Sequence, residues 1–105
     1  VKQFAVYKNK SRNRQAYPYF IDVQSDMLAH LNTRLVMPLT QKANSNSQVK
    51  ALTPVITIGQ VDYVVLASMI TTTDIKNLKA EDAVMDASHL RDQLVSAIDM
   101  MILGI

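Results

Sequence analysis

Ser25, Asp26 and His30 supply the three side-chain types of a nucleophilic triad within six residues. A working triad is normally assembled from separate elements that fix each orientation. Packed this closely, the three read better as capping and turn residues in a loop. Asp22 and Asp26 are candidates for paired carboxylates or for half a metal site. The sequence supplies no remaining ligands at a recognisable spacing, and His30 and His89 are its only imidazoles. No cofactor is expected. A glycine-rich phosphate loop is excluded, because Gly59 and Gly104 are the only glycines. The run from Lys8 to Arg14 carries Lys8, Lys10, Arg12 and Arg14 between Tyr7 and Tyr17. Cations flanked by aromatics suit a nucleic-acid backbone, although such a run is more often a solvated loop. Six methionines read mostly as core filler, with Met27, Met100 and Met101 suited to an adaptable contact surface.

The elements that must hold these residues follow from pattern. A chain of 105 residues reads as one domain, residues 1–105. It has no cysteine, which rules out disulfides and suits a reducing cytoplasm. No apolar run reaches membrane-spanning length, so no membrane partner is expected. Net charge is only +2 but unevenly spread, basic before Asp22 and acidic from Asp74 to Asp99. Short β-type runs fill the first two-thirds: Gln3–Tyr7, Tyr17–Val23, Leu35–Leu39, Pro54–Ile58, Val61–Leu66 and Ile70–Thr73. Pro18 suits a strand start, and Pro38 suggests an edge or a bulge. Gly59-Gln60 between two such runs predicts a hairpin with a type II′ turn. Lys8–Gln15 and Thr40–Gln48 read as surface loops.

From Ser88 the spacing changes to three and four, through Leu90, Leu94, Ala97, Ile98, Met101 and Ile102. This is one face of a helix, with Asp86 or Ser88 to cap its start and Gly104 to stop it. Asp92, Gln93, Ser96 and Asp99 form the polar face. That face, continued by three and four residues, reaches Met100 and Leu103, which should be wet. The segment Met100-Met101-Ile102-Leu103-Gly104-Ile105 is thus an apolar tip where polar residues are usual, and a contact surface is the expected explanation. The residues by themselves indicate a mainly β protein with a C-terminal helix, built for binding rather than catalysis.

Several segments carry a resemblance further. Phe20-Ile21-Asp22-Val23-Gln24-Ser25-Asp26 closely resembles the Val-Asp-Val-Gln-Ser-Asp segment of the CcdB family, the toxins of ccd plasmid-addiction systems. Matches follow in order at Arg34–Leu39, Pro54–Gly59, Ser88-His89 and Gly104-Ile105, and the N-terminal strand and basic loop also correspond. The resemblance implies a small Src-homology-3-like antiparallel barrel with one C-terminal α-helix, in a two-fold homodimer. It implies a toxin, not an enzyme, that binds the A subunit of DNA gyrase and traps the cleaved-DNA complex. The antitoxin CcdA would neutralise it, and the two together would repress their operon, so that operator DNA is met only through the antitoxin complex. Carried over by position, the gyrase-binding residues are Asp99, Ile102, Leu103, Gly104 and Ile105, with Met27 and Leu28 nearby in the family fold. One departure stands out: the family pattern ends Trp-Gly-Ile, whereas this chain has Leu103-Gly104-Ile105 and no tryptophan. Two alternatives remain: a messenger-RNA endonuclease toxin of the same barrel, and a homologue with weakened gyrase binding that mainly binds antitoxin.

Overall fold

The computed structural model describes residues 1–46 and 49–104. Its seven strands form one curled antiparallel sheet: β1 (Ala5–Lys8), β2 (Tyr19–Asp22), β3 (Thr33–Gln41), β4 (Val55–Ile58), β5 (Val61–Val65), β6 (Thr71–Asp74) and β7 (Ala83–Asp86). Six run in the order β4-β5-β3-β2-β1-β7, and β6 pairs with β3 off that path. Helix α1 (Arg91–Leu103) covers the concave side. The expected mainly β architecture with one C-terminal helix is present, its sheet curled into a half-barrel.

Register explains the two faces. Val6 pairs with Ile21 and Ile21 with Met37, and all three point into the core beneath α1. One residue along, Tyr7 pairs with Phe20 and Phe20 with Pro38, on the other face. There Ala5, Tyr7, Val36 and Leu78 make a second, smaller core with Phe20 packed against it. Side chains alternate with period two, so one run of residues feeds both cores.

Strand β1 starts at Ala5 rather than at Gln3. Phe4 sits at φ +68°, which breaks the extended run and drops its ring into the main core. Its neighbours hold it there: its N–H donates to Asp22 O, and its carbonyl accepts from Ala87 N–H. Strand β2 is shorter than expected, because Pro18 and Tyr17 are committed to the basic loop through Asn9 N–H and Asn13 O. Strand β3 is longer and takes in Thr40 and Gln41, which the sequence assigned to a loop. Gln41 pairs with Tyr63, and the Thr40 hydroxyl donates to Ala16 O at 2.9 Å. The rest of that loop includes a 3₁₀ turn at Lys42–Asn44, while residues 47 and 48 lie outside the described residues.

Pro38 lies on neither an edge strand nor a bulge. One side of β3 runs along β2; the other serves β6 through Val36 and then β5 from Leu39. Pro38 occupies the gap between those partners, where no strand N–H is needed. Its carbonyl, on that same side, accepts from Leu66 N–H at 2.9 Å. The Gly59-Gln60 hairpin forms as expected, with Ile58 opposite Val61. Its turn differs: φ is +56° at Gly59 and +72° at Gln60, so both central residues are left-handed and the turn is type I′. Strand β7 was not foreseen; four residues beside the acidic turn Ala80–Asp82 give too short a pattern to read.

Candidate functional site

The helix tip is built by a stripe that outruns the barrel. Leu90, Leu94 and Ala97 are buried, and Ile98 and Met101 are half-buried against the same core. The stripe seats α1 on 3₁₀ turns at Lys50–Leu52 and Ala67–Met69. One turn later the support ends, and Ile102 is 74% exposed. This corrects the assignment of Ile102 to the core face: its angular position is right, but the barrel stops short of it. Leu103 is 64% exposed and Met100 is also exposed, so apolar side chains point outward around the last turn. Asp99 lies beside them at the surface. Gly104, at φ +73°, closes the helix with a left-handed cap whose N–H donates to Met100 O at 3.0 Å. Ile105 lies outside the described residues.

The helix start is held from outside the helix. Asp86 accepts the Ser88 N–H at 2.8 Å and also its hydroxyl, fixing a 3₁₀ turn at Ser88–Leu90 that leads into α1. Lys2 adds an ion pair to Asp86 at 2.9 Å. The Ser88 hydroxyl, then Lys2 and the Ser88 N–H, hold the Asp86 carboxyl well below the usual carboxylate range. His89 is exposed in this turn.

A second apolar projection stands on the turn after β2. The Met27 N–H donates to Ser25 Oγ at 3.2 Å, capping a 3₁₀ turn at Asp26–Leu28. Met27 is 89% exposed, and Leu28 and Leu31 are also exposed. Beneath the turn, the candidate paired carboxylates do converge, but on a guanidinium. Arg34 and Asp22 are both fully buried, with Arg34 Nε donating to Asp22 Oδ2 at 2.8 Å. Arg34 Nη2 donates to Gln24 O at 3.1 Å and to Asp26 Oδ1 at 3.3 Å. Gln24 ties the turn to β3 by accepting Leu35 N–H, and to itself by donating to Leu28 O. Burial pushes the Asp22 carboxyl up, while Arg34 and the Gln24 N–H pull it back. Arg34 Nη1 alone is buried without a partner among the described residues. Sequence reasoning passed over Arg34 as a structural residue. The available signal was a lone cation entering an apolar strand twelve residues after Asp22.

The triad is not assembled. Ser25 Oγ serves the turn, Asp26 Oδ1 is taken by Gln3 N–H and Arg34, and no hydrogen bond joins exposed His30 to either. Among the described residues, no three His, Cys, Asp or Glu side chains gather as a metal site, and no helix is long and apolar enough to cross a membrane. Tyr7, expected beside the basic loop as an aromatic platform, is buried in the second core. Met37 is fully buried and Met85 packs on the core, while Met27 and Met100 are exposed as expected; Met69 and Met101 trade places, the first exposed and the second packed on the core. The structure gathers Asp99, Ile102, Leu103 and Gly104 on one helix end, and ties Met27 and Leu28 to β2, β3 and Gln3 instead.

A curled antiparallel sheet, one packed helix and outward apolar side chains on two capped turns define a small half-barrel protein with two exposed apolar projections. A family model described as CcdB protein matches residues 3–104. The chain belongs to the CcdB family, the toxins of ccd toxin–antitoxin systems.

Proposed function

We propose that this chain is a gyrase poison, a non-enzymatic cytoplasmic toxin that binds the A subunit of DNA gyrase as a homodimer and traps the cleaved-DNA complex. The observation that carries this reading is the last turn of α1, where Ile102 and Leu103 stand exposed above a left-handed cap. Two apolar anchors on a rigid helix end suit a groove, and burying them on docking supplies a compact hot spot. Asp99 gives the rim a polar contact. Met27 and Leu28, presented by the Arg34-braced turn, supply a second apolar element to the contact in this reading. In this reading CcdA neutralises the toxin through a broader area and joins it in operon repression, with operator DNA held by the antitoxin.

Leu103 in place of the family's tryptophan sets the strength of the contact. Leucine lacks the flat ring and the N–H donor, and its contact should be weaker by about 1–3 kcal/mol where the tryptophan stacks on a gyrase side chain. Calorimetric titration against the gyrase A fragment tests the proposal, with binding expected and Leu103→Trp expected to tighten it. Absence of binding at high micromolar concentration, with CcdA binding intact, would reduce the protein to an antitoxin-binding homologue.

A further inference from the structure

We propose that the basic loop and the turn after β6 form a binding site for single-stranded nucleic acid, on the sheet face opposite α1. This goes beyond the helix-tip reading, which has the toxin meet operator DNA only through its antitoxin, and it does not depend on it.

The first observation is charge gathered from distant segments. A cavity of about 310 Å³ is rimmed by Lys8 at the end of β1, Lys10 from the loop, and Lys76 and Lys79 from the turn. Its one carboxylate, Asp82, is buried and already paired with Lys10 at 3.0 Å. Lys76 has only a 4.0 Å pairing with its neighbour Asp74. Lys8 and Lys79 have no ion-pair partner among the described residues. Arg14 lines an adjoining depression that shares Lys8 and Lys10 as its wall. Lys8 and Lys10 therefore stand as a ridge between two hollows, with Lys76 and Lys79 lining one and Arg14 the other, and this group of cations wants an anionic chain.

The second observation is that the ridge is built in advance. Asn9 is 5% exposed, and its Nδ2 donates to Asn13 Oδ1 at 2.8 Å and to Tyr17 O at 2.6 Å. Asn9 Oδ1 accepts the Ser11 N–H at 2.8 Å and the Ser11 hydroxyl at 2.6 Å. A framed loop has little left to order when a ligand arrives, so little affinity is lost to ordering. The hydrogen bond to Asp82 holds the Lys10 ammonium above its ordinary pKa, which keeps it charged.

The third observation selects the anion. Half-buried Phe20, on the face away from α1, lines the cavity beside these lysines. Tyr19, the next residue, is not part of this face: it packs on the main core, edge-on against Tyr63 with ring centroids 5.2 Å apart. Single strands combine phosphates with flat faces at short intervals, and aromatic side chains beside a cationic track are what they stack on. An acidic peptide matches the charge but does not carry a flat group at every repeat of its chain, as a single strand does.

Fluorescence anisotropy of the full chain with short oligo(dT) and oligo(U) tests this. Contacts to three or four phosphates predict a loss of affinity of about 20- to 50-fold between about 50 mM and about 200 mM salt. Lys8→Ala with Lys79→Ala should flatten the log–log salt slope by about 1.4 without changing thermal melting. Leu103→Ala should leave oligonucleotide binding untouched, which separates this site from the gyrase surface. Binding of either oligonucleotide with these properties supports the proposal. No binding at about 100 µM protein in low salt overturns it. So does equal binding of poly-glutamate or inorganic polyphosphate, or an unchanged salt slope in the lysine variant.

Discussion

Arg34→Met should cost about 3 kcal/mol of folding stability, near the lower end of the about 3–5 kcal/mol for breaking a buried ion pair. The variant leaves Asp22 fully buried with no cation, and it removes the donor to Gln24 O. Two features temper the loss. Nη1 is already a buried donor without a partner among the described residues, a burden of about 1–3 kcal/mol that methionine removes. Methionine also fills an irregular space well. Urea denaturation followed by circular dichroism is the appropriate assay, since the chain has no tryptophan to report. At a slope of about 2 kcal/mol/M the midpoint should fall by about 1.5 M. Asp22→Asn combined with Arg34→Met removes both charges and keeps an oxygen for the Gln24 N–H, so it should recover at least about 1 kcal/mol. The pH dependence has a definite sign. Without Arg34, the folded-state pKa of Asp22 lies above its unfolded value, so the folded state binds the extra proton and stability rises as pH falls. The deficit of Arg34→Met should thus be smaller at about pH 5 than at about pH 8. A midpoint within about 0.3 M of the parent, or a double variant no better than the single one, would refute the reasoning.

Docking that buries the exposed 64% of Leu103 gains about two-thirds of a full leucine burial, or about 1–2 kcal/mol. Leu103→Ala should therefore raise the Kd for the gyrase A fragment about 5- to 30-fold, read by calorimetry, while the melting temperature holds. Gln60→Gly relieves a side chain held at φ +72° and should stabilise the hairpin by about 0.5–1 kcal/mol; a lower melting temperature would contradict the type I′ turn. Asp86 is depressed in the folded state, so its contribution is present above the ordinary value of 3.8 and lost as pH falls through and below it. Asp86→Asn should flatten the acid limb of the stability curve, measured by denaturation at stepped pH.

Strands and helix were legible where local pattern and tertiary demand agree. The Gly59-Gln60 pair marked its hairpin, and the three–four spacing from Leu90 marked α1, because both signals are local. What the pattern cannot carry is the extent of the partner surface. Ile102 repeats the stripe faithfully, yet its exposure depends on where the barrel ends, a property of Lys50–Leu52 and Ala67–Met69 rather than of the helix. Pro38 was misjudged for the same reason: a strand interior tolerates proline where its two neighbours on one side change over, and that changeover involves residues about thirty positions downstream. Asp22 and Asp26 do come together, but around Arg34 rather than as a reactive pair or half a metal site. Their shared partner was hidden because Arg34 lies in a separate strand and draws its meaning from burial.

Strand β3 is the seam of the sheet, and its partners come late. It is complete at Gln41, and β2 is already present to line one side, but the other side waits for β5 at Val61–Val65 and β6 at Thr71–Asp74. A chain leaving the ribosome therefore carries a nine-residue strand with one bare edge while some thirty further residues are made. Pro38 sits midway along that edge and removes a donor there, so a stray strand cannot zip along its whole length. The residue that lets β3 change partners in the finished fold also guards the nascent chain against pairing with its neighbours.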